Sequence, residues 1–130
     1  MIISTTRALP IGLSALVILS GALADSLDYL FRNELLCDTN NVLCFRGTLS
    51  YRPNPRLLSL NARVQTAPGP GLLRITLTGA NQQGQPRVAP FEVRVRGNRS
   101  EIIDHQMIPD YPDVAAWAVD SIEFVADETG

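Results

Sequence analysis

The chain's single histidine, His105, stands in the run Ile103-Asp104-His105-Gln106-Met107, with Asp110 and Asp113 close behind. A histidine beside carboxylates could serve in general acid–base catalysis, activate a nucleophile or bind a metal. None of these is supported by a second motif. The chain has no G-x-S-x-G elbow and no H-E-x-x-H pair, and its acids lack the spacing of a known calcium loop. His105 is therefore read as a strand-end histidine satisfied by local hydrogen bonds. No catalytic residue, cofactor or metal ligand is assigned, and a small hydrolase or metal-dependent enzyme around His105 ranks third among the functions.

The two cysteines, Cys37 and Cys44, enclose Asp38-Thr39-Asn40-Asn41-Val42-Leu43. They lack the C-x-x-C spacing of a redox pair and have no histidine nearby, and they are too few for a thiolate zinc site. In an oxidising compartment they most simply form one disulfide.

Arginine is the richest chemistry in the chain. All 11 basic residues are arginine, and the formal net charge is −2. An arginine-only basic set is what a GC-rich bacterial genome gives. The charges are sorted along the sequence. Residues 46–100 hold nine arginines against Glu92 alone, and residues 101–130 hold eight acids and no base. Arg46, Arg52, Arg63, Arg74, Arg94 and Arg96 each alternate with apolar neighbours, so in strands they point away from the core. Two readings follow. Acidic C-terminal strands interleave with the arginine strands and neutralise them, or the arginines line a face that binds an anionic partner. The guanidinium fork suits carboxylate, phosphate or sulfate. Nucleic acid is a poor partner for an exported, net acidic chain with no binding motif. Tyr51, Tyr111 and Trp117 are the aromatics that could stack on a ligand; Tyr111, in a proline-flanked loop, is expected to be exposed, whereas Trp117, preceded by alanines, is more often a core anchor at such a position. Trp117 to Phe124 resembles the closing strand of jelly-roll carbohydrate-binding modules over eight residues, too short a stretch to assign a family.

The elements that must position these residues begin after a targeting segment. Residues 1–24 carry one charge, Arg7, then an apolar run over 9–19, then small residues ending Ala22-Leu23-Ala24. This predicts a secretory signal peptide cleaved after Ala24. The expected mature protein, residues 25–130, is one domain, periplasmic or secreted, with no stable membrane insertion. With 45% hydrophobic residues over the whole chain, disorder is excluded.

Leu27, Leu30, Phe31 and Leu35 suit one face of a short helix capped by Ser26, or an irregular segment held by the disulfide. From residue 42 onward the period becomes two. Strands are predicted over 42–52, 58–65, 73–78, 88–96 and 100–108, with the facing of the last left open by the adjacent Ile102 and Ile103. Residues 114–126 form a single strand, or a helical turn followed by a strand over 121–126. Proline- and glycine-rich turns separate these runs. Such spacing predicts an all-β, antiparallel two-sheet sandwich, immunoglobulin-like first and jelly roll second.

The favoured function is an exported, non-catalytic sandwich acting by macromolecular contact, such as a periplasmic assembly or chaperone-like factor for another envelope or secreted protein. Residues 88–96 are the candidate edge strand, around Val93 and Val95, because Pro86 and Pro90 would be out of place in a central strand. The alternative is a carbohydrate- or anion-binding module whose arginine face takes an anionic glycan.

Overall fold

The computed structural model describes residues 27–128; the expected signal segment, Asp25 and Ser26 lie outside them. Seven strands follow one another: β1 (Asp28–Cys37), β2 (Cys44–Pro53), β3 (Arg56–Val64), β4 (Gly71–Ala80), β5 (Pro86–Val95), β6 (Ile102–Met107) and β7 (Ala118–Ala126). They form two antiparallel sheets, ordered β1-β2-β3-β6 and β5-β4-β7, and the chain is an all-β sandwich. The division into four and three strands is that of a constant-type immunoglobulin domain. The connectivity is the protein's own, because β1, β2 and β3 run as a meander in one sheet.

Alternation builds the core. Phe45, Leu49 and Tyr51 of β2 and Leu58, Leu60 and Val64 of β3 turn inward. They meet Leu73, Ile75 and Leu77 of β4 and Phe91 of β5 from the opposite sheet. In β2 the inward position 47 is glycine, directly across from Ala62. A Cβ there would lie 2.5 Å from the Ala62 Cβ, so the two strands can pack at this point only without a side chain. In β6, Ile103 is buried and Ile102 exposed, which fixes the facing that the sequence left open.

The N-terminal segment is a strand rather than a helix. Of the apolar residues that suggested a helical face, Phe31 is buried while Leu27 and Leu35 are exposed. Pairing with β2 satisfies the backbone instead, with Cys37 opposite Cys44 at the hairpin end. Register shifts fall between Tyr29 and Phe31 and between Phe31 and Glu34, and Asn33 adopts φ 49°. Those bulges let Phe31 and Leu36 both face inward although five positions separate them. The interrupted alternation imitates a helical period.

The C-terminal run shows the same device. In β7 the register shifts between the partners of Thr76 and Leu77, Ser121 and Val119. Asp120 is the extra residue, so Val119, Ile122 and Phe124 all pack against the core. Val114 and Trp117, in the crossover before β7, are buried with them.

Candidate functional site

The disulfide predicted from sequence is present: Cys37 and Cys44 join at S–S 2.04 Å. The loop it closes contains an acid that sequence reasoning passed over as a turn former. Asp38 is only 3% exposed. Its Oδ1 accepts the N–H groups of Val42 at 2.6 Å and Leu43 at 2.7 Å, and its Oδ2 accepts that of Asn40 at 3.2 Å. Asp38 organises the loop. The signal for it in the sequence was an aspartate next to a cysteine in a short hairpin.

The six candidate arginines do not share one face. Arg74 and Arg94 lie on the outer face of the three-stranded sheet, where acids meet them. Arg74 Nε contacts Glu92 Oε2 at 2.6 Å, and one of its terminal nitrogens reaches Glu123 Oε1 at 3.5 Å. Arg94 pairs with Asp127. Donating a hydrogen bond to Glu92 raises the Arg74 pKa above its ordinary value, and donating one to Asp127 does the same for Arg94. On this sheet the C-terminal acids do interleave with the arginines, because β7 lies beside β4.

The four-stranded sheet is different. Arg46 stands directly opposite Arg63. Leu35 flanks Arg46 on one side and Ile102 flanks Arg63 on the other, making a row of two guanidinium groups between two aliphatic side chains. Both aliphatics are exposed, Leu35 at 53% and Ile102 at 59%. The next row is Thr48, Asn61 and Asp104; beyond it come Tyr29, Ser50, Ser59 and Gln106. Arg52 is also exposed, farther along β2. Arg46 donates to the Asn33 carbonyl at 3.0 Å, capping the β1 bulge. Among the described residues neither Arg46, Arg52 nor Arg63 forms an ion pair. Asp104, diagonal to Arg63, does not bridge to it.

Arg96 belongs to neither face. It follows β5 and lines a groove of about 480 Å³ with Asn98, Arg99, Ser100, Glu101 and Ile102. Glu101 folds this turn by accepting the N–H groups of Arg96 at 3.0 Å, Gly97 at 2.8 Å and Asn98 at 3.3 Å. Gly97 has φ +70°, and a Cβ on it would sit 1.7 Å from the Gly69 carbonyl oxygen. Only glycine fits there.

β5 is an edge strand, but Val93 and Val95 are not its edge-facing residues. In an antiparallel ladder the N–H and C=O of one residue point to the same side. Ile122 O accepts Thr39 N at 2.9 Å at the open side of β7, so Ser121 and Glu123 face β4. Their partners Thr76 and Arg74 turn away from β5. Pro90 and Glu92, opposite these two, therefore face the open edge. The same parity places Pro86, Val88 and Arg94 there, and puts Val93 and Val95 in the ladder with side chains toward the core. Two of the five edge-facing residues are prolines and offer no N–H to an added strand.

The remaining candidates separate. His105 points inward, its ring edge-on to Phe91 at 5.4 Å. Asp104 points outward and Asp110 and Asp113 are exposed in the following loop, so no histidine–carboxylate constellation assembles. Tyr111 is exposed at φ 69°, with the Arg87 guanidinium 5.2 Å from its ring centre. Trp117 is 7% exposed, with its indole N–H near the buried Tyr51 hydroxyl but without a hydrogen bond of ordinary geometry. It anchors the core and cannot share a stacking platform with Tyr111. Comparison with protein-family models, with curated proteins and with solved structures returned no match.

Proposed function

We propose that this chain is an exported, non-catalytic binding module that holds an anionic polymer on the outer face of its four-stranded sheet. A single contrast carries the proposal. The outward-facing Arg74 and Arg94 of one sheet are neutralised by Glu92, Glu123 and Asp127, whereas the other sheet sets Arg46 and Arg63 side by side with no carboxylate on either. Like charges directly opposite destabilise a sheet, and an external anion relieves that cost. Around the pair lie Thr48, Asn61, Ser50, Ser59 and Gln106, polar side chains suited to sugar hydroxyls, with Asp104 the one acid of these rows and not bridged to Arg63. The intact disulfide supports export to a periplasmic or extracellular site. The strand-accepting reading, with a protein client on β5, is less favoured because Pro86 and Pro90 interrupt that edge.

Isothermal titration of the oxidised mature protein with polygalacturonate, and with neutral dextran as control, tests this. Binding to the polyanion that weakens as salt rises, and that Arg46→Ser with Arg63→Ser reduces, is the expected result. No binding to polygalacturonate, or equal binding to dextran, overturns the proposal.

A further inference from the structure

We infer that the groove at the β5–β6 turn is a second anion subsite, continuous with the sheet face through Ile102, and that the ligand is a linear polyuronate long enough to occupy both. This rests on the proposed function and adds a place and a ligand class to it. Continuity is a matter of register. Ile102 stands opposite Arg63 on the sheet and also lines the groove that holds Arg96 and Arg99. A chain crossing the sheet therefore meets Arg46, Arg63, the exposed Ile102 and then two further guanidinium groups, with neighbouring strands about 4.8 Å apart.

Glu101, the acid within the groove, does not cancel those charges by pairing. Its two carboxylate oxygens are directed at the backbone N–H groups of Arg96, Gly97 and Asn98. Among the described residues neither Arg96 nor Arg99 forms an ion pair. The turn is held rigidly as well. Val64 and residues 100 and 101 exchange backbone hydrogen bonds at 2.8 Å, and Gly69 N donates to Gly97 O at 3.2 Å.

The ligand class follows from the order of the groups. Two cationic pairs lie to either side of an exposed aliphatic side chain, and polar Asn98 and Ser100 also line the groove. A uronic-acid polymer carries the matching sequence: planar carboxylates for the guanidinium forks, an apolar C–H face for Ile102, and hydroxyls for Asn98 and Ser100.

The test titrates oxidised wild-type protein, Arg96→Ser with Arg99→Ser, and Arg46→Ser with Arg63→Ser against a long oligogalacturonate and against dextran sulfate, after urea unfolding confirms matching stability. Losing one of two linked subsites lowers affinity for the long oligogalacturonate about tenfold or more, and the expected result is such a loss in both variants. A loss confined to the Arg46/Arg63 variant overturns the groove subsite and leaves the proposed function standing. A loss confined to the groove variant, or in neither, overturns both. Dextran sulfate bound as tightly as oligogalacturonate, with the same response to the variants, overturns the assignment to uronate.

Discussion

Replacing Asp38 by alanine removes the acceptor that holds the Cys37–Cys44 loop together. The carboxylate is buried, and its two shortest hydrogen bonds, 2.6 Å from Val42 N and 2.7 Å from Leu43 N, are charge-assisted. At about 1.5 kcal/mol each, the lower end for bonds to a charged group, their loss costs about 3 kcal/mol. The Asn40 bond at 3.2 Å adds little. The disulfide stays intact in this variant, so the loss measures the carboxylate and not the covalent closure. With a urea m-value of about 1.5 kcal/mol/M, the midpoint of the oxidised protein falls by about 2 M. Asp38→Asn keeps an acceptor oxygen without the charge and is expected to lose about half as much. Equilibrium unfolding followed by Trp117 fluorescence reads both variants. An Asp38→Ala midpoint within about 0.3 M of wild type would mean that the carboxylate does not hold the loop, because a shift so small is below the worth of one such bond.

Gly97→Ala places a methyl group against the Gly69 carbonyl at a φ that L-residues rarely adopt, so several kcal/mol of stability are expected to be lost, about 3 or more, in the same urea assay. Reducing the disulfide releases a loop of seven residues' separation and lowers stability by about 2.5 kcal/mol on the chain-entropy estimate, read as a midpoint shift with and without reductant. Burial raises the Tyr51 pKa, opposed in smaller part by the nearby Arg56 charge. A raised folded-state pKa contributes stability that is intact below the ordinary tyrosine range near pH 10 and is lost as pH climbs through and beyond it. Urea midpoints measured on the alkaline side should therefore fall less steeply in Tyr51→Phe than in wild type, and identical slopes would remove Tyr51 as the cause.

Much of the fold was legible because period two is visible wherever a strand is regular. β2 and β3 pair without a register shift over their whole shared length, and their inward and outward residues were readable one by one. β1 and β7 were obscured by the bulges near Asn33 and at Asp120, where one extra residue reverses the alternation. The site was legible only in part. Outward-facing arginines follow from alternation, but which of them meet an acid depends on strand order. Arg74 is neutralised because Glu92 of β5 and Glu123 of β7 stand on either side of it, and Arg63 is not because Arg46 and Ile102 hold those positions. Trp117 is a candidate stacking ring by residue type, and its burial in the crossover before β7 agrees with the core-anchor reading that the preceding alanines suggest. Asp38 escaped notice because its partners are backbone amides, which every sequence has.

Binding on the four-stranded sheet rests on the division of the outward arginines into those with and those without an ion pair, and Arg63→Ser compared with Arg94→Ser reads that division. Both residues are exposed strand arginines, one without an ion pair and one bridged to Asp127. Affinity for polygalacturonate at low salt is expected to fall several-fold, by about 1 kcal/mol, in Arg63→Ser, and to remain at the wild-type value in Arg94→Ser. Equal losses in the two variants would mean that the polymer senses only overall charge, and would contradict the assignment of binding to the four-stranded sheet.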